Sequence, residues 1–342
     1  MPGTSAYDEA AAQIRRASRA TSRDDRELIR MAALAASSHN TQPWTFSTST
    51  DAITIQPDLT RRCPVVDPDD AHLFKSLGCA AENMVQAAAA QGIAATVSIN
   101  ATDQSVSVDL SRSTDPGPTP LADAILTRQC TREAYDGRPV TPDDLAALEA
   151  AGTLGSARCA HITDAGRLGE VAAFVTRGNL AQLNDPHFRE ELLSWIRFNP
   201  ASALKAGDGL AGRTTGQPGV PSWFGFALQR ILLKADTQAK VDAERLASSA
   251  GVTMFVSPAD DVSDWVDAGR AYQRYALQAE ALDIRTAFIN QPIEVTDLRP
   301  EFESWLGLTD ERVHLAVRFG HGAKVPYSLR RPIDDVITSA GR

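Results

Sequence analysis

Nowhere in this sequence do two cysteines stand as near neighbours. Cys63, Cys79, Cys130 and Cys159 are scattered without a CxxC spacing, which argues against a zinc ribbon or a thioredoxin-type motif. Reduced thiols in a cytoplasmic chain are the expectation, and no metal site is assigned. No apolar run approaches the roughly 18 residues of a membrane helix. Arg15 and Arg16 lie near the N-terminus, but no apolar stretch follows them. No export signal is read there, and no membrane partner is expected. Positive charge is also short: 34 Lys and Arg face 43 Asp and Glu, a net charge of −9. That disfavours nucleic acid as a partner, because polyphosphate binding needs a broad basic face. A few clustered arginines can still hold one small anion.

What is present is ordinary in bulk. The 342 residues, 43% hydrophobic and 23% charged, suffice for a large core and for one to three domains. The pattern is α+β. Helices are expected at 24–36, 71–91, 120–127, 142–151, 164–183, 187–197, 226–247, 262–282 and 297–306. Strands are expected at 44–48, 53–57, 94–99, 105–109, 252–257, 286–289 and 312–319. The 71–91 helix is apolar almost all round and stops at Gly92, the marks of a central buried helix. "STDPGPTP", 113–120, reads as a linker. Residues 198–225 are rich in glycine, proline and serine and read as a long loop; such loops are usually functional lids or disordered.

Shifting the 71–91 helix by 191 positions lays it on the other long helix. Gly78 then meets Gly269, Ala80 meets Ala271, Ala88 meets Ala279, and Ile93 meets Ile284. A diverged duplication explains this better than chance alignment of alanines. Small residues would let two such helices approach closely. The chain is therefore read as two diverged halves, 1–112 and 121–342, joined by 113–120 and packed face to face as an intramolecular pseudo-dimer. The halves are not equivalent. Only the first carries "SSHNTQPW" (37–44), and only the second carries "RQCTR" (128–132) and the "LRRP" tail (329–332). A site needing both sets would form once, at the interface of the halves.

Arg128 and Arg132 share a face if their segment is helical. Arg330 and Arg331 lie together in the tail. Convergence of all four would build a phosphate pocket; two unrelated surface clusters are the plainer alternative.

"AASSHNTQPWTF" (35–46) resembles a signature of the nitroreductase-type flavoproteins, in which it ends a helix and its polar groups reach a flavin held mainly by the partner subunit. "RQCTREAYDGRPV" (128–140) is similar to that family's opening motif, whose basic residues grip the flavin phosphate, and "SLRRPIDDVI" (328–337) resembles its C-terminal phosphate-binding strand. With "SSHNTQPW" ahead of the arginine motif, the order resembles the double-domain Acg-family FMN-binding oxidoreductases, in which two nitroreductase-like halves are fused around one FMN. "DGL", "WVDAGRAYQR", "FINQPIEVTDLR" and "VRFGHG" agree, so the resemblance runs from about 24 to 337.

The resemblance implies FMN as cofactor. It implies Ser37, Ser38, Asn40 and Gln42 as partners of the flavin ring, and Arg128, Arg132, Arg330 and Arg331 at the phosphate. It places the backbone of Asn290 and Gln291 near the reactive edge. Cys130 stands where the family has a small hydroxyl residue, so either Thr131 substitutes or one phosphate bond is lost. Trp44 is read as core; His39 is read equally as a capping or solvent-facing residue and as a cofactor contact. The implied reaction is hydride transfer from NAD(P)H through FMN to a nitroaromatic or quinone, with no side chain singled out as acid or base. If Trp223 and Phe224 of the lid cover the flavin, the chain is instead an FMN-binding or storage protein with little reductase activity. An enzyme that modifies flavin or a special metabolite is a third reading. With the usual dimer contact internal, a monomer and a homodimer both fit.

Overall fold

The computed structural model describes residues 2–17, 22–112, 120–214, 220–222, 225 and 234–338. Its strands, in chain order, are β1 (Trp44–Thr48), β2 (Ala52–Pro57), β3 (Ile93–Ile99), β4 (Val106–Arg112), β5 (Arg158–Ile162), β6 (Ile196–Arg197), β7 (Leu210–Ala211), β8 (Gly251–Ser257), β9 (Arg285–Phe288) and β10 (Arg312–Gly320). Eight of them form two antiparallel four-stranded sheets, ordered β1-β2-β4-β3 and β5-β8-β10-β9. The two orders are the same once each strand is matched to its counterpart in chain sequence. In each sheet the long helix feeds the edge strand, which then turns back into the inner one.

Those two helices, Ala71–Ala90 and Val262–Ala281, pack against each other and form the centre of the molecule. Their closeness has a residue-level cause. A Cβ built on Gly78 would overlap the Val266 carbonyl oxygen and lie 3.1 Å from the Arg270 nitrogen. A Cβ built on Gly269 would overlap the Lys75 carbonyl oxygen and lie 2.8 Å from the Lys75 Cα. The offset of 191 positions that pairs the glycines also pairs Lys75 with Val266, so the crossing maps onto itself. Asn83 and Gln273, both fully buried at this crossing, are paired. The Asn83 amide donates to the Met31 carbonyl at 2.9 Å and accepts from Gln273 at 2.7 Å, and Gln273 accepts from the Ala36 amide at 3.3 Å.

One core spans both sheets, with Trp44, Phe46, Ile53 and Met84 from the first part and Phe255, Tyr272, Tyr275 and Phe319 from the second. The sheets differ in what covers them. β3 alternates exposed with buried or partly buried residues, the pattern of a sheet with one wet face, whereas β8 is buried at every position. A separate cluster, including Val171, Val175, Leu246, Met254 and Phe302, covers the far side of the second sheet with helices Ala165–Asn184, Ala235–Ala247 and Arg299–Leu306.

The chain ends cross between the parts. The Phe46 amide donates to the Val336 carbonyl and the Thr338 amide to the Phe46 carbonyl, both at 2.7 Å, so the tail extends the first sheet in parallel. An N-terminal helix, Pro2–Ile14, packs under the tail through the Tyr7 hydroxyl, which donates to the Tyr327 carbonyl at 2.9 Å. The sequence reading contained neither this helix nor β5. Residues 198–225 are also not the uninterrupted loop expected. They include helix Pro200–Ala206, capped by Asn199, and β7. The lid residues Trp223 and Phe224 lie outside the described residues, as does all of the linker 113–120 except Pro120, which opens the helix Pro120–Thr127. Among the described residues no helix is long and apolar enough to cross a membrane.

Candidate functional site

"SSHNTQPW" does not continue its helix. The helix Asp25–Ala33 ends, and His39, Asn40 and Gln42 take the left-handed φ values of 47°, 55° and 53°. Each such residue costs about 1 kcal/mol, so the segment needs external bonds to hold it. Asn40 Nδ2 donates to the carbonyls of Gly209 (3.1 Å) and Leu329 (3.3 Å). Gln42 Nε2 donates to the Gly207 carbonyl at 2.9 Å, and Gln42 Oε1 accepts from the Arg331 amide at 2.9 Å. Ser37 Oγ accepts from the Gln42 amide at 3.1 Å. Much of this polar chemistry therefore pins the first sheet's entry to two segments of the second part. The pinned turn, "GDGLAG" (207–212), has the spacing of a dinucleotide loop but follows a helix rather than a strand, so it lacks that fingerprint's context.

Above the pinned segment lies a cavity of about 550 Å³. Its wall includes Ser37, Ser38, Asn40, Arg128, Cys130, Arg132, Asn290, Gln291 and Arg330. Gln42 and Arg331 are not on it. Gln42 is fully buried, and Arg331 braces the strand entry through the carbonyls of Gln42 (3.1 Å) and Trp44 (3.3 Å). Arg128 and Arg132 do share a side, but not by helical spacing. The helix Pro120–Thr127 stops before them, and Cys130 bridges β9 beside Thr286 in extended chain, where alternate residues face one way.

One end of the cavity is cationic. Arg15, Arg128 and Arg330 are all buried, and among the described residues no carboxylate lies within 4.0 Å of them or of Arg132. Burial and the Arg128 charge push Arg15 down to about 10. Burial, then Arg15 and Arg128, hold Arg330 well below the usual arginine range. Three guanidiniums that repel one another in a low dielectric are favoured only if an anion joins them. Their direct reach differs. Arg330 spends its donors on the chain: Nε on Ala33, Nη1 on Ser328 and Leu329, and Nη2 on Leu34 and Ala35. Arg128 Nη2 donates to the Leu34 carbonyl at 3.1 Å, while its Nε is buried without a partner. Arg132 is half-buried and makes no hydrogen bond among the described residues.

Two further wall atoms, Gln129 Nε2 and Gln291 Oε1, are also buried without a partner. Asn290 instead uses Oδ1 to accept from the Ala316 amide at 2.9 Å, tying the Gln291–Glu294 helix to β10. His39, on the wall beside Arg132, is lowered to about 4 by burial and by that charge, so it is neutral at physiological pH. Cys130 is half-buried on the wall; the other three cysteines are buried, and all four are free.

Sequence reasoning missed Arg15, Gln129, His72, Lys75 and Glu294, all on or beside this cavity. A signal existed for two of them. His72 and Lys75, three apart, are the only basic residues of the buried helix Ala71–Ala90. Glu294 Oε2 accepts from Gln182 at 2.7 Å, and its Oε1 is 3.7 Å from His72 Nε2. Burial, more than the Gln182 bond can offset, raises Glu294 to about 7. Between the ordinary glutamate range and that value, the folded chain holds a proton that the unfolded chain has released. Stability from this group therefore falls as pH rises through that window. Glu294→Gln should be more stable than the parent by roughly 2 kcal/mol at pH 8 and equal to it near pH 4. Urea midpoints at the two values check this.

The sequence profile of the nitroreductase family matches residues 125–321. A protein of Mycobacterium tuberculosis strain H37Rv, provisionally named NAD(P)H nitroreductase Rv3131, is 25% identical over 283 residues, covering 80% of this chain and 78% of its own length. Among solved structures, a nitroreductase with bound FMN from Bacteroides fragilis is 17% identical with a TM-score of 0.38, covering 60% of this chain and 90% of that one. The NADPH:FMN oxidoreductase of Vibrio harveyi complexed with NAD+ is 15% identical with a TM-score of 0.36, covering 63% and 73%.

Proposed function

Because the chain belongs to the nitroreductase family, we propose that it is an FMN-binding oxidoreductase that takes hydride from NAD(P)H and reduces a small acceptor of the nitroaromatic or quinone type. The observation that carries this reading is the 550 Å³ cavity, cationic at one end and lined by unpartnered amide groups. Its size falls within the range of small-molecule and cofactor sites, about 300–1,000 Å³. FMN brings a phosphate dianion and a ring edge of carbonyls and nitrogens, which match those two features.

FMN, when bound, would supply the hydride chemistry. Arg132 and Arg128 Nε would donate to its phosphate. Arg15 and Arg330 would contribute charge from behind, since Arg330 has its donors engaged. Gln129, Gln291, Ser37, Ser38 and Asn40 would pair with its polar edges. Gln42 and Arg331 would act as braces, without touching it. Matching strand orders and the self-mapping glycine crossing support two diverged halves, about 1–112 and 121–342, as an internal pseudo-dimer with one site in the seam. The family profile spans only the second sheet. Together with the motif order, this favours the Acg-type double-domain arrangement.

The FMN-storage alternative keeps one specific support: Leu210 and Thr214, from the segment read as a lid, do lie on the cavity wall. Anaerobic addition of NADH or NADPH separates the two. Bleaching of the flavin band within minutes supports the reductase; a yellow protein that neither nucleotide bleaches is a flavin holder. Arg132→Ala should weaken FMN binding by roughly tenfold or more, as the loss of a charge-assisted phosphate contact. Fluorescence titration of the flavin-free protein measures it, and unchanged affinity refutes the assigned phosphate end.

A further inference from the structure

The far end of the same cavity is built from different groups. His72, Lys75 and Ser76 come from the helix Ala71–Ala90, and Gln182 and Glu294 face them from the second part. Lys75 is the unusual member. It is 5% exposed, yet among the described residues its Nζ donates no hydrogen bond and meets no carboxylate within 4.0 Å. Desolvating an ammonium without an acceptor is costly, so a site that keeps one has a use for it or hydrates it from the cavity.

The charges around Lys75 define what it can hold. Asp67 and Asp69 precede its helix, Asp260 precedes the helix Val262–Ala281, and Arg299 and His314 approach from the second part. His72 and Glu294 complete the surround. Burial lowers Lys75 to about 8, partly offset by Asp67, and it remains mainly protonated at neutral pH. Arg299 is already engaged by Asp260 and Glu303, which leaves Lys75 as the cation with charge to spare for a ligand; beside several carboxylates it can offset one negative charge but not two. The dianion belongs at the arginine end; a monoanion fits here, best when Glu294 carries its proton.

We propose that this end of the cavity is the acceptor subsite and that it selects acceptors bearing a carboxylate, with Lys75 as the anchoring cation. The term "acceptor" rests on the reductase reading; the binding preference does not. Serine and amide groups on the same wall, Ser76 and Gln182, would orient the rest of the ligand without adding charge.

The test compares 4-nitrobenzoate with nitrobenzene by calorimetric titration of the oxidised protein as purified, with flavin content measured on the same sample. Near pH 6 the wild type should bind 4-nitrobenzoate at least about tenfold more tightly, the worth of one charge-assisted bond. Lys75→Met should erase the preference and leave nitrobenzene binding unchanged, and Lys75→Arg should keep most of it. In the wild type alone, the preference should collapse by about pH 9, where an amine of lowered pKa has lost its charge. Equal affinities in the wild type, a preference independent of pH, or one that survives Lys75→Met overturns the proposal. A flavin-free sample that still prefers the carboxylate sinks the FMN reading and leaves this one standing. A flavin-loaded sample without preference does the reverse.

Discussion

Gly78→Ala and Gly269→Ala should each destabilise the protein by about 3 kcal/mol or more, although alanine is the better helix former by about 1 kcal/mol. Propensity and packing here predict opposite signs, so the experiment discriminates. At Gly269 the added methyl would sit 2.7 Å from the Lys75 carbonyl carbon, against backbone that no rotamer change can move. The two helices would have to separate along a crossing that also carries the Asn83–Gln273 bond and much of the shared core. Gly169 is the control. It lies in the helix Ala165–Asn184 with nothing within 4 Å of its built Cβ, so Gly169→Ala should be neutral or stabilising by up to about 1 kcal/mol. The double variant Gly78→Ala/Gly269→Ala should cost less than the sum, because the first methyl opens the gap that the second needs. Urea denaturation of the four variants measures all of this. Stabilisation by either central substitution would mean that the helices do not meet there.

That crossing was legible in the sequence because close helix approach leaves a mark, a small residue at a fixed register in both copies. The long helices and most inner strands were legible for a similar reason, since each has a strong period or a strong stop. β5 was not. "RCAHI" is a five-residue edge strand with four short or polar side chains, and its strand character comes from pairing with β8. The Pro200–Ala206 helix was hidden by its glycine- and proline-rich surroundings, though Asn199 and Pro200 are an N-cap and first-turn pair.

At the site, residue identity was legible but residue duty was not. Asn40 and Gln42 look alike in sequence, yet only Asn40 reaches the cavity wall. Gln42 turns inward, where its side chain donates to the Gly207 carbonyl and accepts from the Arg331 amide. Arg128 and Arg132 face one way for a reason opposite to the helical one, an extended segment laid along β9. Arg15 directly follows a helix that gave no signal of its own, and its long-range partner, the Ser328 carbonyl, is 313 residues away in the tail.

Arg330→Met should cost about 3 kcal/mol of stability, and the cost should grow when FMN is present. The first part follows from the hydrogen-bond count. Without the guanidinium, the carbonyls of Ala33 and Ala35 at the end of the helix lose their donor while still buried, at about 1–3 kcal/mol each. Removing one of three mutually repelling charges returns part of that loss, because Arg15 and Arg128 are relieved. An anion cancels this relief: with the phosphate bound, each cation is wanted, and the variant loses both the braces and the attraction. Linkage makes the difference measurable, since a ligand that binds the native state less tightly stabilises it less. Arg330→Lys should recover little, because three donors on a point charge cannot span five acceptors. Arg132→Met should behave in the opposite way, with stability unchanged within about 0.5 kcal/mol in flavin-free protein and the whole loss appearing in FMN affinity. Melting curves of the three variants with and without excess FMN test the division. A deficit in Arg330→Met that FMN leaves unchanged would show that its charge does nothing for the anion and that the arginine end is only scaffolding.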